Sequence, residues 1–182
     1  SKPAVMREAV NSGAAMINDV CALQAEGALD AAVELQQAVC LMHMQGQPRT
    51  MQENPRYDDV VAEVTAFLAD RVAHCVAAGL GDDLIMIDPG FGFGKTVSHN
   101  IELLANLRQL AQIGRPVLIG LSRKSTLGAL TGRDVDDRLA GGLAAAVMAV
   151  ERGAVVVRAH DVAATADALK IARAIGEADK GL

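Results

Sequence analysis

Aromatic residues are nearly absent from this chain: there is no tryptophan, one tyrosine and three phenylalanines among 182 residues. What replaces them is Ala, Val, Leu and Gly, a composition common in parallel sheets covered by helices. Cys21, Cys40 and Cys75 are odd in number and lack Cys-x-x-Cys spacing. That excludes a disulfide or zinc framework and suits buried thiols in a reducing, cytoplasmic setting. Every apolar run is too short to span a bilayer, so no membrane partner is expected. Basic residues are scattered and the net charge is −5. A nucleic-acid footprint is therefore excluded, although a few local cations suffice for a small anionic substrate. The length suits one domain with a real core. No secretory leader is visible. Ser1-Lys2-Pro3 reads as a helix N-terminus with Ser1 as cap, so the chain looks cut from something longer.

Strand and helix signals alternate along the chain. Helix Lys2–Asn11 leads to strand Ala14–Ile17, which finishes in Asn18-Asp19. Helix Gly27–Gln37 leads to strand Val39–Met42, finishing in His43. An irregular segment, Gln45–Arg56, precedes a long helix capped by Asp58, whose apolar positions from Val60 to Cys75 keep the 3.6 period. Such long loops are usually functional or disordered. Strand Leu84–Ile87 ends at Asp88, and Ser98 can cap helix His99–Ala111, with Ile101, Leu104 and Leu107 on one face. Strand Pro116–Leu121 ends in Ser122-Arg123-Lys124-Ser125. Helix Asp137–Arg152, small and apolar on several faces, should be covered on more than one side. Strand Val155–Val157 ends in Arg158-Ala159-His160-Asp161, and helix Val162–Ile175 follows. Alternation of this kind implies right-handed crossovers and a parallel sheet. Polar residues end all five strands, which favours a (β/α)8 TIM barrel, whose strand ends form one ring. Five units do not close a barrel of ~250 residues, so only the last five strand–helix units are expected here.

Asp88-Pro89-Gly90-Phe91-Gly92-Phe93-Gly94-Lys95-Thr96 is the densest motif. Its tail, Gly94-Lys95-Thr96, matches a phosphate-binding P-loop, but the place of the first glycine holds Pro89. Proline has no N–H for a phosphate, which argues against a P-loop nucleotide hydrolase. Gly-x-Gly-x-x-Gly is absent as well, since its third glycine falls on Lys95. Asp88 is better read as an acceptor for a ligand with two adjacent N–H donors, as a carboxylate is for guanidinium. Asn18 offers a donor and an acceptor to a ring edge of mixed polarity, although alone it reads as a turn residue. Arg123 and Lys124 between hydroxyls suit an anion or a ring carbonyl. Arg158 and His160 are two apart, on one face of an extended backbone, and could cradle phosphate or pyrophosphate; the bland alternative pairs Arg158 with Asp161. His43 reads as a buried, satisfied residue. No Ser-His-Asp or Cys-His set and no His/Cys metal cluster is evident.

Taken together, five stretches resemble bacterial dihydropteroate synthase: Ile17–Val20, Leu41–Gly46 with Pro48 and Thr50–Gln52, Asp88–Lys95, Gly120–Ser125 and Arg158–Asp161. They run in family order over essentially the whole chain. The resemblance implies residues 1–182 as the C-terminal part of a single pterin-binding barrel domain, which lacks the family's first three strand–helix units. It implies condensation of 6-hydroxymethyl-7,8-dihydropterin pyrophosphate with p-aminobenzoate, a folate-biosynthesis step blocked by sulfonamides. Asn18, Asp88 and Lys124 would then hold the pterin, with Met42 and Gly120 lining its slot. Arg158 and His160 would hold pyrophosphate, and Phe93, Lys124 and Ser125 would border the p-aminobenzoate site. Lys124, Asp88 and Arg158 would carry the chemistry. The family is usually a homodimer and uses Mg²⁺, whose protein ligand is expected in the first strand and not in this chain. A non-catalytic pterin-binding fragment is the alternative reading.

Overall fold

Val39-Cys40-Leu41-Met42 is apolar at every position, which suits a strand with both faces covered. It forms the core of β2 (Ala38–Met42), the second of five parallel strands in the structure, a computed structural model that describes residues 1–179. The others are β1 (Met16–Asp19), β3 (Ile85–Asp88), β4 (Val117–Gly120) and β5 (Ala154–Arg158), hydrogen-bonded in chain order. Between and around them run α1 (Pro3–Asn11), α2 (Ala28–Leu35), α3 (Val60–Ala77), α4 (Val97–Ala105), α5 (Leu107–Ala111), α6 (Ser125–Thr131), α7 (Leu139–Glu151) and α8 (Val162–Asp179). A strand order without reversal, joined by right-handed crossovers, places every connecting helix on one face. That is a sector of a (β/α)8 barrel. A doubly wound sheet would reverse at a switch point.

Register assigns the faces. Asn18, Cys40 and Met86 are partners across β1, β2 and β3, with Met42 beside Asp88 and Gly120 beside Arg158. The alternate set, Ile17, Val39, Leu41, Ile85, Ile87, Val117 and Ile119, packs with helix residues Leu68, Leu103, Leu107 and Leu110 in one apolar core. So the helices bury one face, and the other carries the polar strand ends.

Several local expectations are corrected. Ser1 caps no helix: its hydroxyl bonds the Asp19 carboxylate, and Lys2 stands at the cap position of α1 without a side-chain cap bond. Asp59, not Asp58, caps α3, accepting from Val61 N (3.0 Å) and Ala62 N (2.9 Å). Glu63 answers by accepting from the Asp58 and Asp59 amides, a reciprocal arrangement that fixes Asp59 at the end. Thr96, not Ser98, caps α4, in a capping box with His99. The predicted helix from His99 to Ala111 breaks at Asn106, whose side chain bonds the Glu102 carbonyl (2.9 Å). The core face of the two helices carries Leu103, Leu107 and Leu110, while Ile101 is 39% exposed. Helix α7 is covered on one side only: Ala145, Ala146 and Ala149 are buried, while Leu139, Met148 and Val150 face outward.

The reassigned cap is directly testable. Asp59→Ala should lower stability by about 1 kcal/mol. Asp58→Ala should stay within about 0.5 kcal/mol of the parent, with both read from urea denaturation midpoints.

Candidate functional site

The site grows from the end of β3. Asp88 is 3% exposed, and its Oδ1 accepts from the Gly90 amide (2.7 Å). Burial pushes its carboxyl up to about 6, against the pull of that amide and of Arg158, Lys124 and Lys95. The chain then turns through Gly90 at φ +68°, pressed against the end of β2; a Cβ there would run into the His43 carbonyl oxygen. Gly94, at φ +62°, lies as tightly against the Gln45 carbonyl. Only glycine fits either position.

Protein groups engage much of this glycine loop. The Lys95 ammonium, 3% exposed, bonds the carbonyls of Gly90 (3.1 Å) and Phe93 (3.0 Å) and lies 2.9 Å from His43 Nδ1. Burial lowers Lys95 to about 7, opposed by the charge of Asp88. Burial and Lys95 together hold His43 down at about 3, so its ring is neutral. Gln52 donates to the Gly92 carbonyl (2.6 Å) and Tyr57 to that of Gly94 (2.8 Å). The Gly92 amide donates to Asn100 Oδ1 (2.7 Å) and the Phe93 amide to the Gly90 carbonyl (3.0 Å). The Gly90, Gly92 and Phe93 amides are thus taken by protein acceptors, and the lysine that a phosphate would need points into the loop. The P-loop reading is thereby excluded.

Beside this loop stand the ends of β4 and β5. Lys124 Nζ lies 4.1 Å from the centre of the Phe93 ring, a cation–π contact. Burial lowers Lys124, as does the Arg158 charge, while Asp88 raises it. Gly120 leaves room for Arg158, whose Nη2 would lie 2.7 Å from any Cβ added there. Ser122 Oγ lies 3.0 Å from His160 Nδ1 and accepts from the His160 amide (3.2 Å). Arg123, at φ +59°, turns from the cleft to pair with Asp161 (3.0 Å) and Asp136 (3.8 Å). Asp161 is thus engaged, and Arg158 makes no ion pair among the described residues.

The structure gathers Phe93, Gly120, Lys124, Arg158 and His160 around one open cleft, with Ser122, Arg123 and Val135. Asp88 lies at its edge, near Lys124 and Arg158. Three expected residues stand apart from that lining. Asn18 is exposed on β1, on the Asp88 face but with β2 between them. Met42 is beside Asp88 in the register yet lines a separate hollow with Cys21, Met44 and Phe67. Ser125 is exposed at the first position of α6. Sequence reasoning missed Asn100, Gln52, Tyr57 and Val135. The first three make polar contacts to Gly92, Gly94 or Thr126 outside their own elements, and Val135 reaches the cleft only through the fold, so no local pattern announces them. Among the described residues no group of three His, Cys, Asp or Glu could hold a metal ion.

Comparison with known proteins places this geometry. The pterin binding enzyme model matches residues 1–160. Dihydropteroate synthase of Haemophilus influenzae is 54% identical over 178 residues, covering 98% of this chain and 65% of that protein. The Yersinia pestis dihydropteroate synthase, solved with a sulfonamide drug complex, superposes with a TM-score of 0.95 at 45% identity, over 98% of this chain and 65% of that one. The Xanthomonas albilineans enzyme in complex with 7,8-dihydropteroate gives 0.90 at 51% identity, over 96% and 64%. The chain thus spans about two thirds of the length of the relatives it matches. With a family model fitted across most of its length and the same strand ends facing one cleft, the chain belongs to the pterin-binding enzyme family.

Proposed function

We propose that residues 1–182 are the C-terminal part of a single pterin-binding barrel domain, and that the protein carrying them is a dihydropteroate synthase. It would join 6-hydroxymethyl-7,8-dihydropterin pyrophosphate to p-aminobenzoate, giving 7,8-dihydropteroate and pyrophosphate. The observation that carries this is a buried carboxylate, Asp88, set beside two cations, Lys124 and Arg158, at adjoining strand ends. Support comes from the dihydropteroate complex of the Xanthomonas relative, whose ligand contains both halves of the condensation.

In this reading Asp88 accepts paired N–H bonds from the pterin edge and favours a ring that is gaining positive charge. The methylene C–O bond breaks, and its electron pair leaves with the pyrophosphate oxygen towards Arg158 and His160. The amine nitrogen of p-aminobenzoate forms the new C–N bond and releases a proton. Lys124 faces a ring carbonyl, and the Phe93 ring beneath it walls the amine's approach, which supplies orientation. Gly120 forms part of the floor, while Asn18, Met42 and Ser125, assigned to the substrates by family resemblance, stand outside the cleft lining. A Mg²⁺ ion would supply positive charge for the departing pyrophosphate, with its protein ligand expected in the family's first strand. The outward Leu139, Met148 and Val150 of α7, with Ile171 and Ile175 of α8, support a homodimer face. Among the described residues no helix is long and apolar enough to cross a membrane; the cytoplasm is the location this reading proposes. The exposed Asn18 and partial coverage of relatives favour a second reading, a fragment that binds pterin without turnover.

Two experiments test this. In the whole protein, Asp88→Ala or Lys124→Ala should abolish pyrophosphate release while circular dichroism stays unchanged; near-normal turnover in both would sink the proposal. Calorimetry of the 182-residue chain with a dihydropterin pyrophosphate analogue should show binding; heat without turnover supports the fragment reading. The second experiment follows pH. Ionised Asp88 is the binding form and its carboxyl sits at about 6. Pterin affinity should therefore hold above that value and fall by about tenfold per pH unit below it. Asp88→Asn should bind at least roughly tenfold more weakly at pH 8 and lose this acid limb. An acid limb that survives in Asp88→Asn refutes the assignment.

A further inference from the structure

Lys95 closes a motif that looks like a phosphate loop, yet its amine is buried and aimed inward. An ammonium has three N–H bonds to give. Three acceptors converge on this one: His43 Nδ1 at 2.9 Å, the Phe93 carbonyl at 3.0 Å and the Gly90 carbonyl at 3.1 Å. As acceptor, His43 Nδ1 carries no hydrogen, so the ring proton is on Nε2. The ring is itself fixed, edge-on to Phe67 with centroids 4.9 Å apart. The His43 amide bonds the Asp88 carbonyl (3.0 Å), which ties the end of β2 to that of β3.

What the two loop carbonyls belong to matters most. Gly90 is the residue whose amide holds Asp88 Oδ1, and Phe93 is the residue whose ring lies under Lys124. One amine therefore holds the two residues that aim the carboxylate and place the aromatic wall. We propose that Lys95 is a positioning residue: without touching substrate, it sets the direction of Asp88 and the seat of Phe93, with His43 as its fixed anchor. The strands do not need it, because Leu41, Ile85, Ile87 and Val117 hold them in the apolar core. An apolar replacement would leave His43 Nδ1 and the Phe93 carbonyl without this donor, take one of two donors from the Gly90 carbonyl, and release the loop alone. The effect on ligand rests on the pterin reading; the effect on the loop does not.

Hydrogen exchange read by mass spectrometry, on this chain and its Lys95→Met variant, tests the loop. Peptides covering residues 90–94 should exchange at least about tenfold faster in the variant, with β2, β3 and β4 within about twofold of the parent. Calorimetry with 6-hydroxymethylpterin should show affinity lowered by about tenfold or more, as a loss near 1.4 kcal/mol gives. His43→Asn keeps an acceptor near the Nδ1 position and should leave both readouts within about threefold of the parent. If Lys95→Met does not fold, His43→Leu removes one acceptor and should loosen the same peptides selectively. Unchanged loop exchange overturns the proposal, as does protection lost evenly over the sheet, which would make the lysine a general support. A loosened loop with unchanged affinity also overturns it. A parent that binds no pterin refutes the functional reading instead, and the exchange result still decides the part played by the lysine.

Discussion

The ends of β2 and β3 approach so closely that Gly90 leaves no space between its backbone and the His43 carbonyl. Almost everything in the site depends on that approach. It brings His43 within reach of Lys95, and it turns the Gly90 amide back onto Asp88. It also lets the segment after β2 lie over the loop, where Gln52 and Tyr57 meet glycine carbonyls. The close packing comes from parallel strands whose core face is uniformly branched and apolar, so their ends are set by register rather than by the loop. The loop is shaped by the sheet.

Charge is arranged on the same frame. The chain is acidic overall, at −5, yet around Asp88 the cations Lys95, Lys124 and Arg158 outnumber it. Burying a carboxylate is expensive unless donors and opposite charge surround it. Here desolvation still wins in part, since the carboxyl sits above its ordinary range, at about 6. A group in that position is readily ionised by a ligand that brings two donors. Fixed dipoles and charges in a half-dry cleft are also what a separating ion pair requires of its surroundings.

How much of this was legible in the sequence follows the range of each interaction. The five strands and the helix alternation were readable because periodicity and punctuation are local signals, and the strand-end polar residues followed from them. Caps were less so: Asp58 and Asp59 are neighbours of one type, and only the partners of Glu63 decide between them. Arg123 and Lys124 looked alike in the chain, but a left-handed backbone at Arg123 sends its charge to Asp161. Asn18 was placed on the correct face yet lies a strand away from Asp88. Lys95 is the clearest case. Its spacing suggested phosphate, while its contacts come from residues 2, 5 and 52 positions away.

The engagement of the glycine loop's backbone has one more consequence. With the carbonyls of Gly90, Gly92, Phe93 and Gly94 bonded to protein groups, the loop meets a ligand largely through side chains carried on it or set against it. Recognition and scaffolding are thereby assigned to different atoms. Phe93 and Val135 are positions where selectivity can drift by ordinary substitution, because it is their side chains that line the cleft. Gly90 and Gly94 are not, because there the backbone surface itself is the fitted part. Variation that alters what the cleft accepts should therefore accumulate at the first pair and stay away from the second.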